Sequence, residues 1–181
     1  MSEENSLEFL DWIKTILLAL ILAFFIKIFL LDATKVEGNS MLNTLHSGDM
    51  LFVDKLSKHF KGFDVGDIVI IEAPDQESTL YIKRIVGLPG DTVSISNGNV
   101  YINGEIYSEH YINTDETLTT NNNSEWTLNE GEYFVMGDNR LPNASNDSRN
   151  FGPISENSIV GHAFLRFYPL YDIGFVDKEN R

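Results

Sequence analysis

The chain has 181 residues and a formal net charge of -14, with 13 Lys and Arg against 27 Asp and Glu. Residues 85–139 contain neither Lys nor Arg. Because binding to a phosphate backbone requires a basic stripe, nucleic acid is excluded as a main partner. Apolar residues make up 43% of the chain, enough for the packed core of one domain. Cysteine is absent, which excludes disulfides, thiol catalysis and cysteine metal sites.

The first element in chain order is an apolar run from Trp12 to Leu31. As a helix it spans about 30 Å, which matches the hydrocarbon core of a bilayer. Its lysines, Lys14 and Lys27, lie near the two ends, where their side chains reach the headgroups. The alternative is a cleavable secretory signal, but acidic residues precede the run and LDATKV, which begins at Leu31, is a poor cleavage site. We therefore predict an uncleaved membrane anchor over residues 12–31.

After the anchor the pattern changes from helical to strand-like. Gly-Asp turns at Gly48, Gly66 and Gly90 each precede a short run rich in Val, Ile, Phe or Leu, which predicts a strand after each turn. The same composition predicts strands at 79–86, at EYFVM before Gly137, and at 159–167.

Turn signals complete the prediction of the fold. Two Asn-Gly pairs, at Asn97 and Asn103, are typical of tight hairpins. Long amphipathic helices are not predicted beyond the anchor. We therefore expect a mostly β domain over residues 32–181, a folded-over antiparallel sheet or partly closed barrel. Residues 112–129 are predicted to be an exposed variable loop or small insertion.

Common catalytic inventories do not match the sequence. The histidines do not have the spacing of metal ligands, so a zinc site is not predicted. The GxSxG motif of serine hydrolases is absent. The four histidines are His46, His59, His110 and His162.

A serine and a lysine offer a different chemistry. Ser40 lies in the turn-prone stretch VEGNSMLNTL, just after the anchor, and Lys83 and Arg84 lie inside an apolar strand. Strand side chains alternate faces, so at least one of the two cations lies on an apolar surface. Burial lowers the pKa of a lysine, and a neutral amine is a general base that activates serine without histidine. The alternative is a solvated lysine on an edge strand.

A polar segment, GDNRLPNASNDSRNFG, follows the last apolar strand before Gly137. In an extended conformation Ser145, Asp147 and Arg149 would share one face, which suits an ion pair beside a positioned hydroxyl. Taken alone, the segment is typical of a polar loop.

Together and in this order, the segments resemble bacterial type I signal peptidases, the membrane-bound serine–lysine proteases that remove signal peptides from exported proteins. The resemblance rests on the anchor, SM at Ser40, GDIV from Gly66, YIKRIVGLPGD from Tyr81, GDNR and S.DSR from Gly137, and GHAFLRFYPLYDIG from Gly161. The short stretch between the hairpins and the GDN motif is similar to the compact Gram-positive form of the family.

The resemblance implies roles for particular residues. Ser40 would be the nucleophile and Lys83 the general base, with the Ser145 hydroxyl hydrogen-bonded to the lysine amine. Two ion pairs would brace the site: Asp138 with Arg84, and Asp147 with Arg149. The pockets for the substrate residues P1 and P3 would be lined by Val36, Met41, Leu45, Tyr81 and Ile82.

The resemblance also implies the partners and the location. Secretory preproteins would bind as an added strand beside 34–37 and 80–83 and be cleaved after an Ala-x-Ala-like site. No metal or organic cofactor is expected. The anchor would lie in the lipid bilayer of a bacterial cell, near the export translocon. Residues 1–11 would be cytoplasmic and the catalytic domain extracytoplasmic.

Two positions depart from the family pattern. Asn43 replaces the proline of SMxPTL, and Gly38 stands where some members place a serine that assists the oxyanion hole.

Two other functions compete with a signal peptidase. A self-cleaving repressor-type protease shares the dyad, but it would carry an N-terminal DNA-binding domain in place of an apolar span. A catalytically silent paralogue that binds export substrates is disfavoured because both dyad residues are present.

Overall fold

The structure, a computed structural model, describes residues 3–29, 31–56, 60–119 and 123–176. It begins with helix α1, Glu3–Phe29. The segment contains neither Gly nor Pro, and glutamates at its start are favourable near a helix N-terminus. These exposed apolar side chains project from α1: Phe9, Trp12, Ile13, Ile16, Leu17, Leu18, Leu20, Ile21, Leu22 and Phe24.

The predicted anchor at 12–31 differs from this helix at both ends. α1 already starts at Glu3, and Leu31 belongs to a strand that pairs with Asp54. Among the described residues, none of the helices is both long and apolar enough to cross a membrane. The side chains of 25–30, which form part of the predicted span, lie outside the described residues.

Strands make up most of the chain after α1. In chain order they are β1 Leu31–Lys35, β2 Met50–Asp54, β3 Ile68–Glu72, β4 Leu80–Gly87, β5 Thr92–Ser96, β6 Asn99–Ile102, β7 Glu105–Ile106, β8 Glu125–Thr127, β9 Glu132–Met136, β10 Ile154–Ser155, β11 Ile159–Tyr168 and β12 Gly174–Phe175. The other helices in the described residues are short: α2 Ser148–Phe151 and 3₁₀ turns at Glu156–Ser158 and Leu170–Asp172.

The strands form two antiparallel sheets. The large sheet has the order β1-β2-β11-β3-β4-β9-β10, with β12 added to β11, and the small sheet has the order β7-β6-β5-β8. The prediction of a mostly β, antiparallel domain is confirmed, with its strands divided between two sheets. Strands β2, β3 and β5 each start two residues after the glycine of a predicted Gly-Asp turn.

Both predicted hairpins are present in the small sheet. Asn97 and Asn103 have φ of 49° and 54°, and the glycines that follow them have φ of 80° and 83°. Two successive residues with positive φ are what a two-residue hairpin turn requires. These turns join β5 to β6 and β6 to β7.

The segment 112–129, predicted as an exposed variable loop or small insertion, is in part buried and includes a paired strand. Strand β8 pairs with β5, and Trp126 in β8 is only 8% exposed, with its ring 4.7 Å from that of Phe134. Thr117 is buried as well. The sequence pattern missed β8 because few apolar residues interrupt this polar stretch, too few to establish an alternation. Residues 120–122 lie outside the described residues.

One cluster of buried side chains joins the two sheets. Phe134 and Met136 from β9 pack with apolar side chains of the small sheet and its flanks, namely Val93, Ile95, Val100, Trp126 and Leu128. The small sheet is therefore held against β9, the strand that leads directly into the polar segment from Gly137. This contact positions the polar segment described next.

Candidate active site

Ser40 and Lys83 come together at the end of a cleft. The Lys83 amine donates a hydrogen bond to the Ser40 hydroxyl, with 3.0 Å between Nζ and Oγ. Lys83 lies on β4 opposite Val69 of β3, and only 3% of its surface is exposed. The Tyr81 ring covers the amine, with Nζ 5.2 Å from the ring centroid. The solvated edge-strand lysine considered above is therefore excluded.

Burial sets the protonation of this amine. It lowers the pKa of Lys83 from 10.5 to about 8, because a charged amine is disfavoured away from water. The nearby Asp147 carboxylate raises this pKa and the Arg149 guanidinium lowers it, so the two charges act in opposite directions. Near pH 8 the amine is thus half neutral and able to accept a proton.

Arg84 points to the opposite face of β4 and pairs with Asp138. Its Nε and Nη2 donate to the carboxylate at 2.9 Å and 2.7 Å, and its Nη1 donates to the Gly66 carbonyl at 2.7 Å. The guanidinium also lies 4.0 Å from the Tyr111 ring centroid. Burial lowers the pKa of Arg84, but its hydrogen bonds to the Asp138 carboxylate and the negative charge of that carboxylate outweigh burial, so the net pKa is raised.

The pair also reaches the nucleophile turn. The Thr44 hydroxyl donates to the Asp138 carboxylate at 2.5 Å. From the other side, the Arg166 guanidinium of β11 donates to the Thr44 carbonyl at 3.2 Å. Both the side-chain hydroxyl and the backbone carbonyl of Thr44 are therefore hydrogen-bonded, which fixes the turn that carries Ser40.

Asp147 pairs with Arg149, but not in an extended segment. Arg149 Nε and Nη2 donate to Asp147 at 2.8 Å each. Asp147 is the N-cap of α2, a position that favours aspartate, so Arg149 lies in a helix and the expectation of one shared strand face is wrong. The Gly137 N–H donates to the same carboxylate at 3.0 Å. Burial raises the pKa of Asp147, but Arg149 outweighs it and the net pKa is lowered.

Ser145 lies at the centre of the site without the hydrogen bond that the resemblance implies. Its hydroxyl is buried and has no partner within hydrogen-bonding geometry in the described part of the chain, Lys83 included. The hydroxyl is still near enough to Asp147 to help lower the pKa of that carboxyl. Ser145 is therefore beside the charged groups of the site but does not bond to the amine.

The cleft has a volume of about 170 Å³. It is lined by Thr34, Lys35, Val36, Glu37, Gly38, Ser40, Met41, Ile70, Leu80, Tyr81, Ile82 and Lys83. Four of the five predicted pocket residues are among them. The exception is Leu45, which is fully buried in the core beneath the cleft, packed with Val36 and Met41.

Ile70 was missed because its place depends on strand pairing. It lies opposite Ile82 across β3 and β4. An apolar run such as IVIIE predicts a strand but does not give its register against a neighbouring strand. Only that register brings Ile70 to the floor of the cleft.

A third buried ion pair, Arg140 with Glu109, was not predicted either. Arg140 Nε donates to the Gly137 carbonyl at 2.7 Å, and Nη1 donates to Glu109 at 2.9 Å and to the Thr117 hydroxyl at 2.6 Å. Its Nη2 donates to the other oxygen of Glu109. This pair ties the connection between β7 and β8 to the polar segment from Gly137. The sequence carries no signal for it because the partners are far apart along the chain.

The described residues contain no group of His, Asp and Glu side chains arranged to hold a metal ion. His59 lies outside the described residues.

The similarity of this chain to known proteins extends over the β domain that carries the site. Residues 9–168 match the family described as signal peptidase, peptidase S26. The chain is 40% identical over 184 residues to a signal peptidase I of Bacillus licheniformis, covering 97% of this chain and 96% of that protein. It is 42% identical over 171 residues to one of Bacillus amyloliquefaciens, covering 90% and 87%. A solved signal peptidase I from Enterococcus faecalis V583 is 33% identical, covers 56% of this chain and 97% of its own, and has a TM-score of 0.46.

The close packing around Gly137 gives a test of this geometry. A Cβ at this position would lie 2.3 Å from the Ser145 hydroxyl and 2.4 Å from the Ser40 carbonyl. Gly137→Ala should therefore lower the free energy of unfolding by about 1–3 kcal/mol, as overpacking does. The matched control is Gly174→Ala, where a Cβ meets nothing within 4 Å. Urea unfolding of the two variants checks the expectation, and equal stabilities would contradict it.

Proposed function

The chain belongs to the signal peptidase family, peptidase S26, and we propose that it removes N-terminal signal peptides from exported preproteins as a serine endopeptidase. The observation that carries the proposal is the 3.0 Å contact between the Lys83 amine and the Ser40 hydroxyl. The lowered pKa of Lys83 supports it, because a base must be neutral to accept a proton. The substrate class is that indicated by the name of the relatives, signal peptidase I.

The substrate would bind as an added strand. The cleft lies between the end of β1 with the residues after it, 34–37, and the start of β4, 80–83. An extended peptide laid between them would hydrogen-bond through its main chain, which holds any sequence, while the shallow cleft selects small side chains. This suits preproteins that share only an Ala-x-Ala-like end.

The chemistry then needs only Ser40, Lys83 and water. Neutral Lys83 takes the proton from Ser40 as Oγ attacks the P1 carbonyl carbon, and the Ser40 N–H donates a hydrogen bond to the oxyanion. The protonated amine gives its proton to the leaving nitrogen as the peptide bond breaks. Water then loses a proton to Lys83 and attacks the acyl-enzyme, the ester bond to Oγ breaks to release the signal peptide, and Lys83 returns the proton to Oγ, which restores Ser40 and the neutral amine.

A catalytically silent, substrate-binding paralogue is the other candidate. It would have no use for a buried amine whose pKa is lowered, or for a serine held in contact with that amine. Asn43, the departure from the family pattern, lies in the same turn but contributes no atom to the dyad. The enzyme is therefore the better-supported proposal.

Substitutions of the dyad test the proposal. Ser40→Ala and Lys83→Ala should each abolish cleavage of a purified preprotein. Lys83→Arg should fail too, because a guanidinium stays charged and accepts no proton. The wild-type kcat/KM should rise as the pH rises through about 8, since only the neutral amine acts as a base. The matched control is Lys61→Arg, at an exposed lysine. An active Ser40→Ala variant, or a Lys83→Arg variant with wild-type kcat/KM, would refute the dyad.

Substrate choice tests the cleft. Peptides with Ala at P1 should have kcat/KM at least about 100-fold above peptides with Phe, because a large ring exceeds the small cleft. Ile82→Ala should reduce this ratio by enlarging the cleft, whereas Ile173→Ala, an exposed position outside it, should leave the ratio unchanged. If wild-type rates on both peptides were similar, these residues would not form the P1 pocket.

We also propose that α1 holds the enzyme in the bilayer of the cell membrane, near the export translocon, with the β domain outside. The exposed apolar side chains all round α1 support this, because such a surface is disfavoured in water. Protease added to intact spheroplasts should digest the β domain and leave an N-terminal tag protected. Full protection of the domain would overturn this topology.

A further inference from the structure

Asn139 contacts the nucleophile turn through both its main chain and its side chain. Its backbone N–H donates to the Ser40 carbonyl at 2.9 Å, and its side-chain Nδ2 donates to the Asn39 carbonyl at 2.9 Å. Asn139 is only 4% exposed, so water does not compete for these bonds. The carbonyls of Asn39 and Ser40 therefore both accept hydrogen bonds from Asn139, and the Asn39 carbonyl also accepts a longer one, at 3.3 Å, from the Leu42 N–H.

The second bond acts on a particular peptide group. The Asn39 carbonyl and the Ser40 N–H belong to the same peptide, which is not among the cis peptides of the described residues. In a trans peptide the C=O and the N–H point in opposite directions. A carbonyl held by Asn139 therefore turns the Ser40 N–H away from Asn139. In the described part of the chain this N–H has no hydrogen-bond partner, so it is available as a donor.

We propose that Asn139 is a positioning residue that fixes the plane of the Asn39–Ser40 peptide, so that the Ser40 N–H meets the oxyanion. The inference rests on the proposed function. The hydrogen bond from Asn139 gives the Ser40 N–H a fixed direction before the substrate binds, which is what electrostatic stabilisation of an oxyanion requires. Asn139 itself touches no reacting atom.

Asn113 determines which way the Asn139 amide faces. Its Nδ2 donates to Asn139 Oδ1 at 2.7 Å, and its own Oδ1 accepts from the Arg140 N–H at 2.9 Å. The Leu141 N–H also donates to Asn139 Oδ1, at 3.3 Å. With its oxygen occupied by donors, Asn139 can present only its NH₂ to the Asn39 carbonyl. Asn113 lies between β7 and β8, so the small sheet takes part in positioning the site.

The expected kinetic signature is specific. An oxyanion exists in the tetrahedral intermediate and not in the bound substrate, so Asn139→Ala should lower kcat by about tenfold, the scale of one hydrogen bond, with little change in KM. Asn113→Ala should lower kcat less. Because both residues act through the same bond, the double variant should be no worse than Asn139→Ala alone.

The experiment compares two ligands on the full chain. Ser40 Oγ adds to the carbonyl carbon of a peptide aldehyde with Ala at P1 while its proton passes to Lys83, which gives a tetrahedral adduct that carries an oxyanion, whereas the cleaved product peptide forms no such adduct. Calorimetric titration should show about tenfold weaker aldehyde binding in Asn139→Ala and Asn139→Asp, with unchanged binding of the product peptide. Asn157→Ala, at an exposed asparagine outside the site, is the matched control. If Asn139→Ala does not fold, as thermal unfolding would reveal, Asn113→Ala carries the same comparison.

The outcomes separate this inference from the proposed function. If the wild type cleaves preprotein but the Asn139 variants keep wild-type kcat and aldehyde binding, the positioning role is refuted alone. If the wild type binds the aldehyde but cleaves no preprotein, weaker aldehyde binding in the variants still supports the positioning role while the proposed function fails. A wild type that neither cleaves nor binds the aldehyde overturns both.

Discussion

The buried amine of Lys83 is the constraint on which the rest of the site depends. Its pKa of about 8 lies below the ordinary value of 10.5, so burying the charged form of the amine lowers the free energy of unfolding by about 3 kcal/mol. This cost is fully present below pH 8. It is relieved as the pH rises toward 10.5, because there the unfolded chain binds the proton and the folded chain does not. This cost is a large fraction of the net free energy of unfolding of a typical domain.

The Asp147–Arg149 ion pair beside the amine helps to explain why burial is the largest influence on its pKa. The Asp147 carboxylate and the Arg149 guanidinium act on Lys83 in opposite directions, so the pair is nearly neutral as seen from Nζ. An unpaired carboxylate in the same place would raise the pKa of the amine and keep it protonated. Buried pairs contribute little net stability. The Asp147–Arg149 pair holds its chain segment in place with opposing effects on the amine, while the Asp138 and Asp75 carboxylates raise the pKa of Lys83 by less than burial lowers it.

Much of the fold could be predicted from the sequence, and the limits have physical causes. Gly-Asp turns and Asn-Gly pairs are local signals, so the strands after Gly48, Gly66 and Gly90 and both hairpins were found. The motifs and their order along the chain likewise predicted Ser40 and Lys83 as candidate catalytic residues. The wrong or missing assignments depend on long-range pairing. Leu45 lies beneath the cleft, Ile70 reaches it through strand register, and Arg140 pairs with Glu109 across the chain, none of which local pattern encodes.

The small sheet helps to position the nucleophile turn, through contacts that the local sequence pattern did not predict. Its core against Phe134 holds it to β9, and the Arg140–Glu109 pair holds its β7–β8 connection to the carbonyl of Gly137. Gly137 in turn lies so close to Ser40 that no side chain fits between them. The position of the nucleophile turn is therefore determined from two sides, by the large sheet through Arg84 and Asp138 and by the small sheet through the segment that follows β9. A change in either sheet reaches the serine through rigid, buried contacts, because packed interiors transmit displacement.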